Sequence, residues 1–202
     1  MTQRLPGFNG GIQPGTSATG TESSGTEKLL RQAAARITAG SLELSWVPGL
    51  SAATLAERLG LNASAADLAG VYPDGGIWLL KDGNEILVAA EAKRQGPAGN
   101  AIERWFKNYS VLKALGVRVF VTLCTGDGFF DGNSAQRTLQ LAVAMEESDR
   151  SRLTRGDVWN KQEGSLWMYR FRTASEAEAF DVVELLQAAL AHAVAIGPAA
   201  SN

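Results

Sequence analysis

Cysteine and histidine are nearly absent from this chain of 202 residues, which contains one of each, Cys124 and His192. A single cysteine cannot form an intramolecular disulfide, and this composition also excludes a cysteine-rich zinc site. The shortage of cysteine fits the reducing cytoplasm, where we expect the protein to be located. His192 is far in sequence from the paired acids of the chain, so we do not expect a histidine general base.

The chain also lacks an excess of positive charge and any long apolar run. Its 19 Lys and Arg residues against 21 Asp and Glu give a net charge of −2, unlike a protein that coats nucleic acid regardless of sequence. A near-neutral protein can still bind DNA when its cations are gathered on one face. The N-terminus does not resemble a signal peptide, and "LLQAALAHAVAIG" is too short to span a bilayer, so no membrane partner is expected.

Glycine, serine and threonine dominate residues 1–25, which we predict to be a flexible N-terminal tail. The chain is 45% hydrophobic, enough for an ordinary core, and we predict a single domain over residues 26–202. A first helix is predicted to begin with Thr26 as N-cap and to end at Gly40, and a second helix covers "SAATLAERLG".

Apolar runs of strand length then alternate with helical patterns. "GIWLL" and "EILVAAEAK" flank "KDGN", whose Asp-Gly pair is typical of a tight turn, so we predict a β-hairpin. A helical pattern from Gly99 to Leu115 leads to the strand "GVRVFVTLC", an order that favours a parallel strand pair. A helix over "SAQRTLQLAVAMEE", a strand over "GSLWMYRFRT" and a closing helix follow. The expected fold class is therefore α/β, a mixed central β-sheet flanked by helices.

Three ionisable side chains are predicted to meet at the open end of the hairpin. With Asp82 and Gly83 as the loop, Asp74 lies across from Glu91, and directly opposed side chains have Cβ atoms roughly 4.5–5.5 Å apart. Strand periodicity places Glu91 and Lys93 on one face. Two carboxylates so close need a cation between them if both are to stay ionised.

Two interpretations of this cluster stay open. In the first, Lys93 forms a salt bridge with one acid and the other acid lies in solvent. In the second, Asp74 and Glu91 bind Mg²⁺, which takes one or two carboxylates together with water and phosphate oxygens. Lys93 then holds the attacking water or offsets charge at the phosphate, as hydrolysis of a phosphodiester requires. Glu43 or Glu57 is a candidate for a third acid.

The helix after the hairpin has a polar stripe that suits DNA. Gly99 and Asn100 at its N-terminus offer backbone N–H groups to a phosphate or to base edges. Asn100 and Arg104 lie one turn apart and are residue types that bind purines in the major groove. Lys107 lies on the same stripe. The alternative is an ordinary solvated face in which Glu103 and Lys107 pair.

At this point "PDGG", "LVAAEAKRQG" and "GNAIER..KN" resemble the EcoRI-type restriction endonucleases of the PD-(D/E)xK nuclease superfamily. The resemblance is dense from Pro73 to Asn108 and faint elsewhere. It implies a homodimer that cuts a palindrome in double-stranded DNA on both strands, leaving 5′-phosphates and AATT overhangs. It also implies a cognate DNA methyltransferase that protects the host. By this resemblance Asp74 and Glu91 bind Mg²⁺, Lys93 is the catalytic lysine, and Gly99, Asn100, Ala101 and Arg104 match the segment that reads the central AATT.

The resemblance leaves several features open. Only "RQGPA" separates Lys93 from Gly99, where the family has a longer insertion that forms part of an arm around the DNA. The outer base pairs of the site are undetermined, so GAATTC, CAATTG, a degenerate hexamer and bare AATT all remain. Arg94 and Gln95 are next to the site and are candidates for the outer contacts or, alternatively, for contacts with phosphates only. Two rival functions are a structure-specific or repair nuclease and a DNA-binding module without catalysis.

Overall fold

The structure is a computed structural model that describes residues 21–49, 51–58, 71–79, 85–93, 101–125, 162, 164–171 and 181–197. These residues form a five-stranded sheet with helices packed on both faces. The α/β prediction with a mixed sheet is therefore confirmed, while a nuclease-type core stays a prediction. No helix in these ranges is long and apolar enough to cross a membrane.

The elements of these ranges alternate along the chain. They are α1 (Thr21–Thr38), β1 (Leu44–Pro48), α2 (Ala52–Arg58), β2 (Gly75–Leu79), β3 (Glu85–Lys93), α3 (Ala101–Ala114), β4 (Val119–Thr125), β5 (Leu166–Phe171) and α4 (Val182–Ala195). The strands lie side by side in chain order. β1, β2 and β3 are antiparallel, whereas β3, β4 and β5 are parallel. Helix α3 makes the crossover that the parallel pair β3–β4 requires.

The hairpin has the predicted register at its open end. Gly75 pairs with Ala90, so the next residues outward are Asp74 and Glu91, as counted from the sequence. A β-bulge between Ile77 and Trp78 shifts the pairing by one residue toward the turn, and there the predicted register is wrong. The predicted turn itself lies outside the described residues.

Each strand contributes to two cores because its side chains alternate between the faces of the sheet. Trp78 and Ala89 pack with α2 and α3, where Trp105 is fully buried. Ile77 and Ala90 pack with α1 and α4 on the opposite face. The apolar composition of β3 follows from this double burial, since a central strand covered on both faces has no side open to solvent.

Two predictions near the N-terminus need correction. Helix α1 begins at Thr21, not at the predicted N-cap Thr26, so residues 21–25 are helical and do not belong to the tail. Thr26 is fully buried on the stripe that also contains Leu30, so packing against the sheet, not capping, determines its position. Strand β1 was not predicted, because its residues are only partly buried at the edge of the sheet. The loop "GDGFFDGNS" and the helix predicted over "SAQRTLQLAVAMEE" lie outside the described residues.

Candidate functional site

The backbone on either side of Asp74 is tightly constrained. The Asp74 carbonyl accepts a hydrogen bond of 2.8 Å from the Gly49 N–H. A Cβ atom at Gly75 would lie 2.2 Å from Cζ2 of Trp46, so only glycine fits at the first position of strand β2, directly after Asp74. Pro73 is buried immediately before Asp74. The position of the Asp74 side chain is therefore set by the packing of β1 against β2.

The carboxyl group of Asp74 lies at the end of strand β3. Its Oδ2 accepts a hydrogen bond of 2.6 Å from the backbone N–H of Ala92, which lies beyond the last paired residue of β2. Burial raises the pKa of Asp74, while this hydrogen bond and the charge of Lys93 act to lower it. Glu27 and Arg31 on α1 also act on the Asp74 pKa, with opposite signs. Desolvation is the largest of these effects, so the pKa of Asp74 is raised overall. The surrounding groups therefore stabilise the ionised carboxylate only in part.

Glu91 is buried and has two partners. Its Oε1 forms an ion pair with Nζ of Lys93. Both of its carboxylate oxygens lie 3.2 Å from Nδ2 of Asn108, which donates to them from helix α3. Glu91 and Lys93 are on the same face of β3, the face that α3 covers, as strand periodicity predicted.

The Lys93 ammonium pairs with Glu91 and also interacts electrostatically with Asp74 and with Arg104 of helix α3. Burial lowers the pKa of Lys93 to about 8, against an attraction from Asp74 that acts to raise it. The charge of Arg104 lowers the Lys93 pKa further, so this arginine is close enough to act on the cluster. Asp74, Glu91 and Lys93 therefore converge as predicted, with Arg104 nearby. We refer to Asp74, Glu91, Lys93 and Asn108 as the strand-end cluster.

The predicted DNA-reading residues fall partly within the described structure. Ala101 is the first residue of α3, Arg104 is exposed one turn later, and Lys107 is partly buried on the same helix. The remaining predicted residues, Arg94, Gln95, Gly99 and Asn100, lie outside the described residues. The helix that would read DNA thus begins within eight residues of Lys93, at the same end of the sheet as the acids.

Sequence reasoning missed two residues near the acids. Asn108 occupies the buried stripe of α3 between Trp105 and Leu112, and a polar residue at that spacing is the signal that marks it. Glu27 influences Asp74 from α1, where it pairs with Arg31, whereas the suggested third acid Glu43 is exposed. Glu27 is far in sequence from the hairpin, and no local pattern connects it with Asp74.

The donor set of the strand-end cluster fits a hard divalent cation. The described ranges contain no group of three or more His, Cys, Asp or Glu residues arranged to hold a metal. Mg²⁺ does not need so many protein ligands, because it retains waters and shares phosphate oxygens with its substrate. Asp74 and Glu91 supply the one or two carboxylates that such a site uses. The raised pKa of Asp74 indicates a place where a cation would relieve the cost of a buried charge.

No protein-family model matches the chain, and neither a curated protein nor a solved structure matches it. The resemblance to EcoRI-type endonucleases therefore stays a prediction based on the motif residues. What the geometry offers by itself is two carboxylates, a lysine with a lowered pKa and an adjacent cationic helix. Such a constellation suits chemistry on a phosphate ester, because it combines oxygen ligands for a cation with positive charge for an anionic substrate.

Proposed function

We propose that this chain is a Mg²⁺-dependent endonuclease that hydrolyses phosphodiester bonds in double-stranded DNA. The observation that supports this best is the meeting of Asp74, Glu91 and Lys93 at one end of strand β3. Perturbed ionisable groups gathered in this way are characteristic of catalytic sites.

Each residue of the cluster has a role in this proposal. Asp74 and Glu91 would hold the cation, which when bound polarises the phosphoryl group and acidifies a water molecule. Lys93 contributes an ammonium group that offsets the negative charge accumulating on the phosphate. The pKa of about 8 leaves this ammonium mostly protonated at neutral pH. Its burial strengthens its interaction with the phosphate because solvent screens it less.

Sequence recognition is assigned in this proposal to helix α3 and the residues before it. Arg104 is exposed beside the cluster, and Lys107 adds positive charge one turn along. With Asn100 and Ala101 they would read a central AATT, the specificity that the motif residues imply. We propose more specifically that the protein is a type II restriction endonuclease with a companion methyltransferase. A homodimer would match the two-fold symmetry of a palindromic site.

The deciding experiment is a digest of unmethylated phage-length DNA with the purified protein and Mg²⁺, followed by sequencing of the fragment ends. Discrete ends that begin with AATT would support both the activity and the specificity, and would identify the outer base pairs. Discrete ends without AATT would keep the nuclease and remove the recognition role of Asn100 and Arg104. Cutting confined to flaps, junctions or damaged sites would indicate a structure-specific nuclease.

A DNA-binding module without catalysis is the second candidate, and one contact favours it. Glu91 already pairs with Lys93 and accepts from Asn108, so part of the cluster is satisfied by the chain itself. In that case DNA affinity is indifferent to Mg²⁺, and no strand is cut with either Mg²⁺ or Mn²⁺. Two measurements separate these functions. A gel-shift titration with and without Mg²⁺ tests whether DNA affinity depends on the cation, and 5′-labelled strands incubated with Mg²⁺ or Mn²⁺ show whether any strand is cut.

A further inference from the structure

A buried amide on helix α3 contacts one of the two carboxylates. Asn108 is 3% exposed, and its Nδ2 is 3.2 Å from both oxygens of Glu91. Trp105 and Leu112, three residues before and four residues after it, are fully buried against the sheet. The apolar packing of α3 therefore fixes the position from which the amide reaches Glu91.

The carbonyl oxygen at the other end of this amide accepts nothing from the residues that the structure describes. The Oδ1 atom of Asn108 is buried, and no group in the described part of the chain donates a hydrogen bond to it. A buried acceptor without a partner is costly, and such exceptions in a folded protein call for an explanation. An asparagine that served packing alone would gain by using both ends of its amide. Its orientation here satisfies Glu91 at the expense of its own carbonyl oxygen.

Glu91 is thus held from two sides by groups of different stiffness. Lys93 approaches Oε1 on a long side chain with several rotatable bonds, which restricts the carboxylate only weakly. Asn108 approaches both oxygens on a short side chain from a packed helix. The amide is therefore the group that determines how the carboxylate is turned.

We infer that Asn108 is a positioning residue: from the buried face of α3 it orients the Glu91 carboxylate toward the divalent cation proposed for Asp74 and Glu91. This inference rests on the proposed function for the cation, but not on DNA cleavage. Hydrogen bonds to metal ligands commonly act in this way, and their removal typically costs about 10–100-fold in metal affinity or activity.

The test measures Mn²⁺ binding by the full chain without DNA, using calorimetry and the electron paramagnetic resonance of free Mn²⁺. Asn108→Ala is compared with wild type and with Ser165→Ala. Ser165 accepts a hydrogen bond from Lys113, which is on α3 like Asn108. Ser165 directly precedes β5, so it lies at the opposite end of the parallel strands from Lys93. We expect Asn108→Ala to bind Mn²⁺ at least about tenfold more weakly and Ser165→Ala to bind as wild type does.

A folded Asn108→Ala variant that binds Mn²⁺ as tightly as wild type would overturn the inference. An equal loss in Ser165→Ala would also overturn it, because the effect would then come from helix stability. If Asn108→Ala does not fold, NMR of the wild-type protein tests the inference instead. Added Mg²⁺ should shift the side-chain amide resonances of Asn108, and unchanged resonances at saturating Mg²⁺ would contradict the inference.

These readouts separate the inference from the nuclease proposal. If wild type binds Mn²⁺ but cuts no DNA, the nuclease proposal is wrong. The role of Asn108 is then decided by comparing the Mn²⁺ affinities of wild type and Asn108→Ala. If wild type cuts DNA and Asn108→Ala binds Mn²⁺ as tightly as wild type does, only the inference about Asn108 is wrong. Wild type that binds neither Mn²⁺ nor Mg²⁺ removes both.

Discussion

Substitution can separate the contribution of the Asp74 charge to cleavage from the contribution of the Asp74 hydrogen bond to stability. Asparagine at this position keeps an oxygen that can accept from the Ala92 N–H, but it removes the carboxylate. We predict that Asp74→Asn lowers the cleavage rate by on the order of 10²-fold or more while the unfolding midpoint stays near that of wild type. Single-turnover cleavage with Mg²⁺ and denaturant unfolding measure the two effects.

Asp74→Ala serves as the comparison for this pair of effects. It leaves the Ala92 N–H without its partner, so it should lose cleavage and also about 1–3 kcal/mol of stability. Glu91→Ala and Lys93→Ala should likewise abolish cleavage. Cleavage at the wild-type rate in a folded Asp74→Asn protein would remove the proposed metal site.

The ionisation of Lys93 should affect stability in the metal-free protein. Its pKa in the folded state is about 8, below the ordinary value of 10.5 that it has in the unfolded chain. Between these values the unfolded state binds the proton and the folded state does not, so stability rises with pH across this window. The gain is on the order of 3 kcal/mol. Below pH 8 both states are protonated and this contribution becomes constant.

Urea unfolding at a series of pH values, with EDTA present, checks this expectation. The difference between wild type and Lys93→Met isolates the contribution, because other lysines titrate equally in both proteins. Two-dimensional NMR of the lysine Cε groups should also show a resonance that titrates near pH 8 and is missing from the variant. Titration of every lysine near 10.5 would refute the lowered pKa.

At the scale of elements, helix α3 should distinguish specific from non-specific DNA. Arg104 is exposed beside the strand-end cluster, and an arginine that binds a base bidentately contributes about 1–3 kcal/mol of discrimination. We predict that Arg104→Gln weakens binding to an AATT-containing duplex by that amount and binding to unrelated DNA much less. Arg36→Gln, which removes an exposed charge from α1, is the control. Equal losses on both duplexes would show that Arg104 contacts only phosphates.

The contact between β1 and β2 gives a prediction about stability. Gly75→Ala would bring a methyl group to 2.2 Å from the Trp46 ring, which strands packed this tightly cannot accommodate. We expect the substitution to destabilise the fold by about 1–3 kcal/mol in denaturant unfolding. Trp46→Leu should relieve part of the loss in the double variant, since the two side chains share one space. Fully additive losses would contradict the steric explanation.

At the scale of the whole molecule, the proposal requires two copies of the chain. The site described here offers one strand-end cluster, and cutting both strands of a palindrome needs a second one related by two-fold symmetry. We predict that sedimentation equilibrium gives twice the chain mass of 21.4 kDa, at least on cognate DNA. A monomer that releases nicked circles from a supercoiled plasmid would contradict the homodimer.

Much of the local structure could be read from the sequence. Periodicity and turn residues predicted the hairpin, helices α2 and α3 and strands β4 and β5, because these signals depend on neighbours in the chain. They also predicted that Asp74 and Glu91 would be opposite each other, since the register at the open end is unaffected by the bulge. The proposed chemistry and specificity rest on the same residues and await the digest.

Only the tertiary structure decided what surrounds these residues. The contacts of Glu91 with Asn108 and of Asp74 with Ala92 join residues 17 and 18 apart, and no local pattern specifies them. The bulge in the hairpin and the edge strand β1 likewise depend on how side chains pack across the sheet. The lowered pKa of Lys93 arises from burial beneath packed elements. Sequence determined which groups could meet, whereas burial and long-range packing determined their partners and their charge.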